Sequence, residues 1–166
     1  RSRLDPVQID YINLHGTATH ANDSAEDLAV SALFGSRTPC SSTKGWTGHT
    51  LGAAGITEAV IACLCLREGL LPASLNTSTV DPAFTMNVLL RNLSQPVKRV
   101  LSNSFGFGGN NAHLIVEDLG RGSRDRAEAG VLEHLDIVAV AHPRAPRSVH
   151  DLHRRKGMHV NLRELG

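Results

Sequence analysis

Three glycine-bearing loops carry the residues able to do chemistry: His15-Gly-Thr-Ala-Thr19, the run from Lys44 to Gly55 that holds His49, and Asn103-Ser-Phe-Gly-Phe-Gly-Gly-Asn-Asn111. A turn is satisfied by Gly, Pro, Asn, Asp or Ser, so a histidine or lysine there asks for a chemical reason. An isolated His is more often a satisfied surface or core residue. Three such loops together point to one shared site. A neutral imidazole donates a hydrogen bond from Nε2 to a thioester or carboxyl oxygen. Two such donors, His15 and His49, would stabilise the enolate left when a β-carboxylate departs as CO2, each removing about 3 kcal/mol of barrier. Lys44 would hold a carboxylate and set the local field, although standing alone it reads as a solvated lysine. In the third loop, glycines let backbone N–H groups approach a ligand and form an oxyanion hole. Phe105 and Phe107 would close an apolar pocket there or serve as core.

The elements that must position these loops are legible from pattern. Residues 7–14 are rich in β-formers and read as a strand that ends on His15, where open α/β sheets place their ligands. Asp23 is the expected N-cap of the next helix, with Glu26 three residues later, an apolar face of Leu28, Ala29, Ala32 and Leu33, and Gly35 as its stop. Residues 38–43 form a short extended piece before Lys44. From about Thr50 to Glu68, small residues at the start and Ile56, Val60, Cys63, Leu64 and Leu66 beyond them predict a buried helix, which Gly69 ends and Pro72 bars from continuing. Residues 73–98 read as loop with one short strand near residues 88–90. Two strands flank the glycines of the third loop, which makes it a hairpin. It is not a dinucleotide loop, because Asn111 stands where a third glycine is needed and no helix follows.

Beyond Gly120 the composition changes, with nine of the 17 Lys and Arg and five of the nine His in the last 46 residues. Only residues 131–140 have the pattern of a helix or strand, so 121–166 is expected to be an atypical basic, His-rich, loosely attached tail. His150 and His153 lack the further ligands of a zinc site, and no metal is expected. Hydrophobic residues at 41% suffice for one core, while a net charge of +1 argues against a dedicated nucleic-acid binder. No apolar stretch reaches ~18 residues, which argues against a membrane span. The opening on Arg1 reads as a piece of a longer polypeptide. Cys40, Cys63 and Cys65 suggest reduced thiols in a cytoplasmic setting, two of them on opposite sides of a helix, and none has the setting of a nucleophile.

In these three ordered motifs the chain resembles the C-terminal half of the β-ketoacyl-acyl-carrier-protein synthases, the condensing enzymes of fatty acid and polyketide synthesis. The resemblance covers residues 7–118 and stops before the tail, so residues 1–120 are taken as that half-domain. It implies an α/β fold, the thiolase-like layered α/β/α/β/α arrangement, of which this chain supplies the second half. His15 and His49 would bind the malonyl thioester and promote its decarboxylation. Lys44 and Glu58 would form the motif pair, structural and electrostatic in role. Thr17 and Thr19 would hydrogen-bond the phosphopantetheine arm of acyl carrier protein, which carries the substrate in place of any tightly bound cofactor. Phe107 would be the gating phenylalanine, its backbone N–H helping the oxyanion hole, with Phe105, Gly106 and Gly108 around the substrate. Asp23 and Glu26 would support the first motif. The implied partners are acyl carrier protein and a second subunit, as a homodimer or a ketosynthase-type heterodimer. The acyl-accepting cysteine of the family lies in the half not present here, so this chain alone would be inactive. A chain-length-factor-like subunit and a truncated non-catalytic fragment are the competing readings.

Overall fold

All three residues of strand β1 (Tyr11–Asn13) are fully buried, and the sheet grows outward from it on both sides. The computed structural model describes residues 4–118, 135–142 and 160–161. Within them the order of elements is β1, helix α1 (His20–Phe34), β2 (Pro39–Ser41), a single helical turn α2 (Lys44–Thr47), helix α3 (Ala54–Glu68), β3 (Leu70–Leu71), β4 (Asn87–Val88), β5 (Leu93–Ser94), β6 (Arg99–Gly106), β7 (Asn110–Asp118), β8 (Leu135–His142) and β9 (Val160–Asn161). Seven strands make one sheet in the order β4-β2-β1-β6-β7-β8-β9, and β3 pairs with β5 separately. The β1 strand runs parallel to β2 and β6, and β2 runs parallel to β4. The remaining pairs of the large sheet are antiparallel. This is an α/β architecture, as expected.

The two faces of the sheet separate by the period-2 rule of strands. Ile12, Leu14, Cys40, Leu101 and Ile115 pack with Val30 of α1 on one face. Tyr11, Val100 and Val116 pack with Ala62, Cys65 and Leu66 of α3 on the other. One residue of register therefore decides which helix a side chain meets.

Several local expectations need correction. Residues 6–8 form a 3-10 turn capped by Asp5, so the first strand is only three residues long. Thr19, not Asp23, is the N-cap of α1, and Asp23 lies in its first turn. The inward face of α1 holds Glu26, Asp27 and Val30, while Leu28 and Leu33 are exposed. The cause is polar: Asp27 accepts from the Thr85 and Met86 N–H groups at 2.9 Å, and Glu26 accepts from the His15 and Gly16 N–H groups at 2.8 Å. Unpaired, those donors would cost more than burying a leucine returns. On α3 the small residues Ala54, Ala59 and Ala62 face inward and let the helix sit close to the sheet, which leaves Ile56, Val60 and Leu64 exposed. The loop of residues 73–98 holds two short strands, β4 and β5.

The third loop is the expected hairpin, and Gly106 pairs with Asn110 across a turn in which Gly108 and Gly109 take φ of +80° and +79°. Two successive left-handed positions favour glycine at both. Part of the 131–140 pattern is strand β8, paired with β7 along its length from Asn111 to Asp118. The other expectations for the tail, including those on His150 and His153, lie outside the described residues.

Candidate active site

The three motif loops leave the C-terminal ends of β1, β2 and β6, adjacent strands that run parallel. Three consecutive strand ends open onto one edge of the sheet, the usual site of ligand binding in such folds. Residues 15, 44 and 105 are far apart in sequence and neighbours here only because of that strand order.

His15 is buried, and its loop is fixed from two sides. Gly16 takes φ +37°, and a Cβ there would stand 2.5 Å from Cβ of Ser42. The Ser42 hydroxyl donates to Gly16 O at 2.6 Å, which ties the first loop to the second. From below, the two oxygens of Glu26 take the His15 and Gly16 N–H groups. Glu26 thus holds the backbone at the start of the first loop.

His49 is exposed, directly after Gly48, the C-cap of α2, and its ring stands edge-on to His15 with centroids 5.5 Å apart. Leu51 N–H donates to Nδ1 of His49 at 3.3 Å. In neutral His49 the ring hydrogen is therefore on Nε2, the nitrogen left to act as donor. The Lys44 ammonium pairs with Glu58, their side chains only 7% and 2% exposed. Lys44 is thus buried and paired, not the solvated lysine it would be alone.

Burial, then the Lys44 charge, then His49, hold the His15 imidazole down from 6.5 to about 4. A proton on His15 is disfavoured, so it is a neutral donor at physiological pH. The folded pKa lies below the unfolded one, so the unfolded chain binds the extra proton between them. His15 thus contributes stability that is present above about 6.5 and lost as the pH falls toward about 4. Imidazole NMR titration should show a His15 midpoint near 4; a midpoint at or above 6 would contradict the packing described.

Thr17 and Thr19 hydroxyls bond to each other at 2.9 Å on the exposed lip of the loop. A cavity of about 600 Å³ opens beside them, lined by Thr17, Asp23, Lys44, His49, Asn76 and Thr77 among others. Phe105 rests 5.4 Å from the His15 ring, whereas Phe107 projects from the hairpin tip at 97% exposure. Gly106 and Gly108 lie beside it in the hairpin. None of the cysteines is poised to attack: burial pushes Cys40 and Cys65 up to about 12 and raises Cys63 as well. Among the described residues no group of three His, Cys, Asp or Glu is placed to hold a metal ion, and no helix is long and apolar enough to cross a membrane.

Sequence reasoning did not single out the polar side chains beneath the loops. Asn13 reaches Thr43 at 3.2 Å, Tyr11 reaches Ser41 at 2.6 Å, and Asn103 links Glu26 to His113. The available signal was a polar residue inside an apolar strand pattern, at Asn13 and Asn103 alike.

Residues 1–78 match the family model of the β-ketoacyl synthase C-terminal domain. The 3-oxoacyl-(acyl-carrier-protein) synthase 1 of Escherichia coli strain K12 is 42% identical over 113 residues, which are 67% of this chain and 28% of that protein. The chain belongs to the β-ketoacyl synthases, through their C-terminal domain. A mitochondrial 3-oxoacyl-(acyl-carrier-protein) synthase of Arabidopsis thaliana is 42% identical over 126 residues, 72% of this chain and 27% of its own. Among solved structures, a ketosynthase in complex with its chain length factor from Xenorhabdus doucetiae superposes with a TM-score of 0.65 at 47% identity, covering 69% of this chain and 29% of that one. A β-ketoacyl synthase from Burkholderia phymatum STM815 gives a TM-score of 0.66 at 39% identity, with 69% and 28% covered. This β-ketoacyl synthase domain therefore has the thiolase-like fold of the ketosynthases and spans less than a third of the relatives it matches.

Proposed function

We propose that this chain supplies the malonyl-binding and decarboxylating part of a β-ketoacyl-acyl-carrier-protein synthase. The observation that carries the reading is the pair of histidine rings, His15 and His49, with centroids 5.5 Å apart beside the buried Lys44–Glu58 pair and the cavity. As the bond from the malonyl α-carbon to its carboxylate breaks, the electron pair moves toward the thioester oxygen. The two imidazoles stabilise it by hydrogen bonds that strengthen as charge develops. Loss of CO2 leaves an enolate that attacks an acyl thioester, and the acyl group passes from a cysteine to the malonyl-derived carbon. No cysteine of this chain is placed for that step, so the nucleophile is assigned to polypeptide outside these 166 residues.

In the same reading Thr17 and Thr19 hold the phosphopantetheine arm along the cavity, and the hairpin of Phe105 to Gly108, with Phe107 at its tip, closes over the thioester. Asp23 lines the arm's path. Acyl carrier protein is the delivering partner, and the second subunit is either another copy or a ketosynthase-type heterodimer partner, in a cytoplasmic enzyme. Retention of both histidines favours a condensing subunit over a chain-length-factor role. Residues 121–166, of which 135–142 and 160–161 extend the sheet as β8 and β9, are assigned to a basic extension of the domain.

The test is the intact mass of the native polypeptide after incubation with an acyl-loaded carrier protein. A species well above 17.8 kDa that gains one acyl group is expected. An unshifted species near 17.8 kDa would remove the enzyme assignment from this chain.

A further inference from the structure

Behind Phe105, on the sheet face under α1, a chain of polar side chains runs from Glu26 to a histidine, His113, that the proposed reaction does not use. Asn103 of β6 and His113 of β7 sit directly opposite each other in the ladder. Nδ1 of His113 is 2.8 Å from Oδ1 of Asn103. The amide of Asn103, itself only 4% exposed, has its orientation fixed from the other end, where Nδ2 donates to Oε1 of Glu26 at 3.1 Å. Glu26 also accepts from His15 N, Gly16 N and, at 3.4 Å, Asn22 Nδ2. Burial holds the Glu26 carboxyl above its ordinary value, and those hydrogen bonds oppose it only in part. Four N–H donors converge on its two oxygens, so the geometry sets both oxygens as acceptors. Asn103 must then present its carbonyl oxygen to His113, and Nδ1 of His113 must carry a hydrogen.

A second route leaves the same residue. The His113 ring stands edge-on to Phe105 with centroids 5.9 Å apart, and Phe105 lies 5.4 Å from the His15 ring. One route ends at the backbone of His15 and the other at its imidazole. Side chains on β6 and β7 thereby hold both halves of a residue in the loop that follows β1.

We propose that His113 is a positioning residue for His15: its Nδ1–H orients the Asn103 amide that steadies Glu26 under the first loop, and its ring backs Phe105 against the His15 imidazole. The consequence for turnover rests on the reading of His15 as a thioester donor; the geometry does not.

Two substitutions separate the routes. In His113→Asn the amide nitrogen stands close to the position of Nδ1, so the bond to Asn103 is retained and the ring is lost. In His113→Phe the ring is retained and the donor is lost. The first measurement needs no variant: nitrogen-15 NMR of the chain at pH 8 is expected to find His113 protonated on Nδ1, and an Nε2–H tautomer overturns the proposal. The second is amide hydrogen exchange. His15 and Gly16 N–H, which Glu26 holds, are expected to exchange about tenfold faster in His113→Phe and at nearly the parent rate in His113→Asn, a difference of one hydrogen bond to a charged network.

The Leu89 amide, bonded to Cys40 O at 2.8 Å on the far side of β1, should not change in either variant. Unchanged exchange at His15 and Gly16 in His113→Phe, equal acceleration in both variants, or acceleration at Leu89 as well would each overturn the proposal. If exchange and tautomer behave as expected while malonyl-thioester turnover of His113→Phe enzyme equals the parent's, the positioning stands and the catalytic reading of His15 falls.

Discussion

Replacing His49 by Ala in the intact enzyme is expected to lower malonyl-thioester decarboxylation by about 10²–10³-fold, the usual cost of removing one preorganised donor from a developing oxyanion. The same fall is expected for His15→Ala. The two should not multiply: both donors address one oxygen, and groups that act as a unit lose most of their effect when the first is removed. Substrate affinity should change little, because the hydrogen bonds in question gain strength only as charge forms. The measurement is CO2 release from malonyl carrier protein under saturating conditions. Turnover within a factor of a few of the parent in either variant would sink the assignment. The two sites differ in a further respect. His49 is exposed and held at Nδ1 by Leu51 N–H, so its loss should leave the fold intact, whereas His15 is buried and its removal opens space against Phe105. His49→Ala is therefore the cleaner test of chemistry.

Lys44→Met is expected to destabilise the fold by about 3–5 kcal/mol, the range for removing one partner of a buried ion pair. Met preserves much of the length of the side chain and removes the charge. Oε1 of Glu58 then loses the ammonium, and Oε2 already has no hydrogen-bond partner among the described residues. The double variant Lys44→Met/Glu58→Leu should recover most of the loss, because an apolar pair has no desolvated charge to compensate.

The pH dependence has a definite sign. Burial raises the Glu58 carboxyl above 4.5, opposed chiefly by Lys44, and removing Lys44 lets burial act unopposed by its main partner. A raised folded pKa gives a contribution that is present below the unfolded value and lost as pH rises, so the Lys44→Met deficit should shrink in acid and grow above about 4.5. Urea unfolding of parent, single and double variants at acid and neutral pH measures all of this. A loss of under 1 kcal/mol in the single variant would mean the pair is solvated.

Much of this domain was determined by residue types and spacing. His15, Lys44, His49, Phe105 and the glycines around them stand in loops that local pattern alone marks as the ends of strands or starts of helices. Gly35 and Gly69 close helices α1 and α3 where a left-handed residue is needed, and both take positive φ. Glycine at 108 and 109 makes a hairpin the economical solution whatever surrounds it. These are properties of the chain over a few residues, and neighbours in sequence suffice to set them.

What the tertiary structure decided was direction. Leu28 and Leu33 have the spacing of a buried face, yet α1 turns Glu26 and Asp27 inward, because N–H groups 10 to 59 residues away in sequence need those carboxylates. Phe105 and Phe107 are two apart and alike in type. Only the register of β6 against β7 puts the first against His15 and leaves the second at the tip. Asn103 and His113 acquire their roles the same way, from a cross-strand pairing that neither one's local sequence announces. Sequence spacing fixes which residues share a strand end or a helix face. Which face goes inward, and which strand ends meet, is set by the hydrogen-bonding and packing needs of residues distant in the chain, and these exist only once the sheet has formed.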